Sequence, residues 1–149
     1  MSAHVSPNPV RPATPGYPVT PIPDLSLPEA RERLSASAIE GFFAITDKWQ
    51  LSIDQAGALL GDLPRSSAYK LRSTPKTLGM DQLTRISYVV GIYNALHVLL
   101  PDSLADAWMT EPNDNSLFRS QSPLNFVTRT GIPGLHEVRS MLDALGNGQ

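Results

Sequence analysis

Cysteine is missing from this 149-residue chain. Disulfides, thiolate nucleophiles and cysteine-ligated metal sites are excluded with it, and the absence fits a reducing cytosol. Long apolar runs are missing too. The longest stretch free of Asp, Glu, Lys and Arg runs from Ile86 to Pro101 and contains Ser87, Gly91, Asn94 and His97. It falls short of the roughly 20 apolar residues that a membrane span requires, so it predicts a buried helix. No basic segment followed by an apolar run opens the sequence, and no secretory signal is expected. The expected location is cytoplasmic, without a membrane partner. Catalytic signatures are lacking as well: there is no Gly-rich phosphate loop, H-E-x-x-H or G-x-S-x-G. His4, His97 and His136 fall in three different segments. Asn113-Asp114-Asn115 lacks the glycine and the bidentate Glu of a calcium loop. The expectation is a non-enzymatic protein without cofactor or metal.

Net charge is small, at −2, so contact with nucleic acid must come from a local patch. Such a patch exists. Between Asp62 and Arg85 five basic residues (Arg65, Lys70, Arg72, Lys76, Arg85) face two acids, whereas residues 102 to 149 carry six acids and three bases. The length allows one domain, or two very small ones sharing a core.

Eight of the fourteen prolines lie in residues 1 to 28, which forbids helix and ladder alike. Residues 1–27 are read as a disordered, polyproline-II-like arm, a tether rather than an SH3-type ligand. A first helix is predicted from Pro28 to Lys48, with Leu34, Ala38, Phe42, Ile45 and Trp49 as its stripe and Ile39 and Phe43 widening it. Gly41 within it is expected to mark close helix packing. Ser52 and Gln55 predict a capping box, Gly61 a stop, and Asp62-Leu63-Pro64 a turn into a helix from Arg65 to Arg72. This is the pattern of a helix-turn-helix, with Gly57 allowing a close crossing. It nominates Arg65, Ser66, Ser67, Lys70, Arg72 and Lys76 for DNA, with Arg85 as a further backbone contact. A fourth helix, capped by Asp81 and ending before Pro101, is apolar nearly all round. It suits a bundle centre or a dimer seam, with His97 as a satisfied interface histidine.

Beyond Pro101 a short helix through Ala105, Ala107 and Trp108 is expected to end at Pro112-Asn113. Phe118 should fold back onto Trp108. Ser122 and Pro123 should open a helix closed by Gly131, followed by a final helix that buries Leu135, Val138, Met141, Leu142 and Leu145. Gly146-Asn147-Gly148-Gln149 should leave it as a polar end too glycine-rich for helix.

The order W-x3-PN-x4-F-x4-PL-x6-G-x3-L-x2-V-x3-L, from Trp108 to Leu142, resembles the toxin-binding domain of the Xre/MbcA/ParS family of bacterial antitoxins, and the preceding helix pair looks like an Xre-type unit. The resemblance implies a compact all-α helical bundle. An Xre-like helix-turn-helix domain with dimerising helices would occupy residues 28–100, and a small C-terminal toxin-binding domain residues 101–149. It implies an antitoxin whose partners are a RES-domain, NAD-consuming toxin and operator DNA, acting as a homodimer within a hetero-oligomeric complex. Trp108, Pro112, Asn113, Phe118, Pro123, Arg139, Asn147 and Gln149 are the residues it nominates for the toxin. One departure stands out: many members carry a glycine pair soon after the PN segment, where this chain has Arg119-Ser120, so a differently shaped loop is expected there. The alternative reading is a stand-alone helix-turn-helix regulator whose C-terminal domain dimerises.

Overall fold

Pro28 at the first helical position, Glu29 in the first turn and Lys48 in the last open and close the first helix, α1 (Pro28–Lys48). Proline's fixed φ suits that first position, and the two charges oppose the partial charges at the helix ends. The structure, a computed structural model, describes residues 24–147. The arm over residues 1–23 and the roles given to Gly148 and Gln149 therefore lie outside the described residues. Immediately before α1, Leu25 packs half-buried against the core, and its carbonyl accepts a hydrogen bond from Arg31 Nη1 at 2.8 Å. Six further helices follow: α2 (Ile53–Leu59), α3 (Arg65–Ser73), α4 (Met80–Leu99), α5 (Asp102–Ala107), α6 (Pro123–Thr130) and α7 (Ile132–Gly146). A 3-10 turn at Ser116–Phe118 separates α5 from α6. No strand occurs among the described residues. The protein is all-α.

Helix α4 is the centre of the bundle. It packs against α1, α5 and α7, and that explains an apolar pattern with no clean polar face: Leu83, Ile86, Val89, Ile92 and Leu96 are buried, while Tyr88, Val90, Tyr93 and Leu99 are half-buried around them. The α4–α7 contacts advance in step along both helices. Tyr88 meets His136, Gly91 faces Arg139, and Leu99 lies beside Gly146, so the two helices run parallel. The end of the Arg139 side chain fills the space that Gly91 leaves open on α4. Leu100 ends α4 in extended backbone (φ −131°, ψ 153°), the conformation imposed on a residue before proline.

One apolar core joins the N-terminal helices to the C-terminal ones. Phe42, Ile92, Leu96, Ala105, Met109, Phe118 and Val138 are all fully buried within it. The segment between α3 and α4 is pinned to α1 by Ser35, whose buried hydroxyl donates to Arg31 O at 2.6 Å and accepts from Leu78 N at 2.9 Å.

Several local expectations are met. Ser52 and Gln55 form the reciprocal capping box on α2, Ser122 caps α6 with Pro123 in its first turn, and Gly131 ends it. Gly131 (φ 75°, ψ −149°) occupies a region open essentially to glycine alone, which lets α7 start in the next residue.

Others are corrected. Asp81 does not cap α4: Gly79 holds that position, and Asp81 sits in the first turn, paired with Arg85 at 2.9 Å. Pro112-Asn113 does not terminate α5, which stops at Ala107. Asn113 instead forms a side-chain turn, accepting from Asn115 N at 2.9 Å, so its polar side chain organises the loop rather than the helix end. Gly41 marks no close packing, since nothing lies within 4 Å of a Cβ placed there. Leu145 is 54% exposed, because the face of α7 that meets α4 is carried by Leu135, Val138 and Leu142. Gly146 continues α7 rather than breaking it.

Candidate functional site

The solvent face of α3 is built by a small number of anchors. Ala68 and Leu71 point into the core, which turns Arg65, Ser66, Ser67, Tyr69, Lys70 and Arg72 outward, all exposed, with Lys76 exposed in the loop beyond. Two of these cations are already paired. Arg65 makes a two-pronged contact with Asp54 of α2, and Arg72 a similar one with Asp47 of α1. Those hydrogen bonds hold both carboxyls below their ordinary range. Arg72 also lies over the Phe43 ring, 5.2 Å from its centroid, so it ties α3 to α1. Lys70 has no ion-pair partner among the described residues.

Arg85, expected as a further contact to the DNA backbone, also makes contacts within the fold. Its side chain is only 18% exposed. The guanidinium lies against Gly61 and Gly131, 3.4 and 3.7 Å from where their Cβ atoms would be. Gly61 follows the C-terminus of α2, whose partial negative charge favours a cation, and Gly131 is the junction of α6 and α7. Arg85 thus joins the turn after α2 to the turn after α6. Sequence reasoning missed it because each partner is a glycine with no chemical signature of its own.

The C-terminal elements meet around Phe118. Its ring stands edge-on to Trp108, with centroids 5.7 Å apart, and to Phe126, at 5.5 Å. Trp108 is half-buried; the fully buried residue beside it, Met109, was not anticipated. The Met109 carbonyl accepts from Leu124 N at 2.8 Å, clasping α5's end to α6's start. Pro123 is buried, Pro112 is exposed, and the Asn113 amide donates to Gln121 O at 3.1 Å. Arg119 (φ 51°) and Ser120 (φ 67°) both adopt the left-handed conformation in which glycine is the least strained residue. Arg139 is half-buried and paired with Asp143 at 3.0 Å, and Asn147 is exposed just past α7. Where α4 and α7 finish side by side, Val98 and Leu145 stand exposed, as does Leu104 on α5.

His97 lies in the last turn of α4. Nδ1 is 3.0 Å from Asp102 and Nε2 2.8 Å from Asp106, and the ring packs at a tilt against Tyr93, with centroids 4.2 Å apart. Only an imidazolium can donate to both carboxylates. Burial pulls the pKa down, but the hydrogen bonds to Asp102 and Asp106 prevail and hold it above the ordinary 6.5. A raised folded-state pKa contributes stability that is complete below the unfolded value and lost as pH rises through the folded one. The melting temperature should therefore fall by a few degrees as pH rises above 6.5, and His97→Gln should flatten that slope. An unchanged slope in the variant would show that another group carries it. Among the described residues, no group of three or more His, Asp or Glu side chains could hold a metal ion, and no helix is long and apolar enough to cross a membrane.

Residues 95–148 match the Xre/MbcA/ParS antitoxin C-terminal toxin-binding domain. The chain is also 33% identical over 124 residues to the uncharacterized protein y4oB of Sinorhizobium fredii (strain NBRC 101917 / NGR234), an alignment covering 83% of this chain and 95% of the relative. The chain belongs to the Xre/MbcA/ParS antitoxin family. As an antitoxin of a toxin–antitoxin pair, its partner is a toxin, and the matched region begins within α4 and takes in α5 to α7. No solved structure matches the chain.

Proposed function

We propose that this antitoxin neutralises a RES-domain toxin that consumes NAD, by binding it through residues 101–149 and obstructing its NAD cleft. Residues 28–100 would provide an Xre-like DNA-binding unit that autoregulates the operon, acting as a homodimer within the toxin complex. The observation that carries the toxin half is the matched domain ending in a helix whose last turn is exposed. Val98 and Leu104 present large apolar side chains to solvent, and exposed apolar groups suit a partner surface. Asn147, exposed just past α7, would face the cleft, with Arg139 as the alternative polar group. The DNA half is supported by an exposed, basic α3.

Truncation tests the tail. Residues 144 to 147 are exposed, and Asp143, the partner of Arg139, is retained. Removing residues 144–149 should therefore leave a folded protein that still co-purifies with the toxin encoded beside it. NAD consumption should return in that complex. Continued inhibition at saturating antitoxin would assign occlusion to the helical face instead. A protein that binds no neighbouring gene product, and is dimeric through these apolar residues, would favour the regulator reading.

A further inference from the structure

Given DNA binding through α3, as proposed above, we infer that Arg65 reads a guanine with the free edge of its guanidinium and that Asp54 is the residue that positions it. A guanidinium carries five N–H donors in a planar fork. Nε of Arg65 donates to Asp54 Oδ1 at 3.1 Å and Nη2 to Oδ2 at 2.5 Å, so the pair is side-on. Both hydrogens of Nη1 and one of Nη2 are left, and one from each nitrogen forms the terminal edge. That edge offers two parallel donors, the pattern that pairs with guanine O6 and N7 in the major groove.

Arg72, on the same helix, is paired the other way. Its Nη1 and Nη2 both donate to Asp47, at 3.1 and 2.5 Å, so its terminal edge is consumed, and its guanidinium is packed over Phe43. Of the two arginines on α3, one is tied down and one is presented. Arg65 is the more exposed, with 66% of its side chain open to solvent against 44% for Arg72. It shares the outward face with Ser66, Tyr69 and Lys70. Tyr69 lies one helical turn on and is 57% exposed.

Asp54 brings a negative charge to a face that must approach phosphates. An exposed ion pair adds little to stability, so holding α2 to α3 is a weak reason for it. Fixing the arginine's plane is a better one: a long side chain that is already oriented loses less freedom when it binds. The two roles separate by sign. Without the Asp54 charge, affinity for arbitrary DNA should rise, while discrimination for guanine should fall.

The test uses the full chain and a pool of randomised duplex DNA. The wild type should select a motif with a guanine at symmetry-related positions. Replacing that G·C pair by A·T should weaken binding at least about fivefold. Arg65→Gln should lose the preference at that position alone, and Asp54→Asn should bind unselected duplex more tightly while narrowing the G·C to A·T ratio. Circular dichroism of both variants should match the wild type, since both side chains are exposed. A selected motif whose guanine preference survives Arg65→Gln would overturn the inference and leave DNA binding standing. So would an Asp54→Asn variant with an unchanged ratio, as regards the positioning role. A wild type that enriches no sequence would overturn both this and the DNA-binding reading.

Discussion

Phe118→Ala should cost about 3–5 kcal/mol of folding free energy, the range for deleting a buried aromatic ring. Phe118 is fully buried between Trp108 and Phe126 and is held in a single 3-10 turn. The elements it joins are short: α5 has six residues and α6 eight. Helices of that length are not stable alone, so packing is what maintains them. A cavity at their meeting point removes that support, and a loss of this size is a large part of the total stability of a small protein. Toxin binding should disappear with it. Trp108 is the more conspicuous residue of the motif, but it is half-buried, so its truncation should cost less. Urea denaturation of the two alanine variants orders them. If Phe118→Ala lay within about 1 kcal/mol of the wild type, the surrounding helices would have to collapse into the space, and Phe118 would not be what holds α5 and α6 together.

What could be read from the sequence was local. The bounds of α1 follow from a proline, a stripe of apolar residues and a terminal lysine; α2 announces itself by Ser52 and Gln55; α6 lies between Ser122-Pro123 and Gly131. Each of those signals acts within one or two turns of chain. The failures have the opposite character. His97 finds Asp102 and Asp106 across the break at Pro101, where helical periodicity no longer predicts neighbours. Arg85 lies against two glycines that come together only when α2 and α6 pack. The Asp54–Arg65 pair spans the turn between two helices, so the basic patch was visible while its division into a tied and a presented arginine was not. Even the departure at Arg119-Ser120 hid a constraint, because both residues take the left-handed backbone that a glycine pair would adopt without strain. A side chain in the sequence does not cancel the geometry demanded by the loop.

Gly57→Ala should destabilise the protein by about 1–3 kcal/mol, the usual cost of forcing atoms into a packed site. Gly41→Ala, one helix earlier, should stabilise it by up to about 1 kcal/mol through helix propensity. Both glycines are helical, and sequence alone suggested a packing role for each. The structure separates them. A Cβ on Gly57 would lie 2.4 Å from the carbonyl oxygen of Leu63, whereas one on Gly41 would meet nothing within 4 Å. The obstacle at Gly57 is backbone, and it cannot rotate away as a side chain would. Leu63 N also donates to Gly57 O at 2.9 Å, so the turn is fastened to the helix it would have to leave. Displacing it moves Asp62, which already sits at φ 60°, and carries Pro64 and the start of α3 with it. Arg65 would then no longer stand over Asp54. Gly57→Ala should therefore weaken DNA binding well beyond its cost in stability, while binding of toxin by α5 to α7 survives at temperatures where the variant is folded. Thermal melts of the two variants, followed by parallel titrations with DNA and toxin, check both halves. Equal stability of the two would mean that the turn gives way freely, and α3 would then not be held in one register by Gly57.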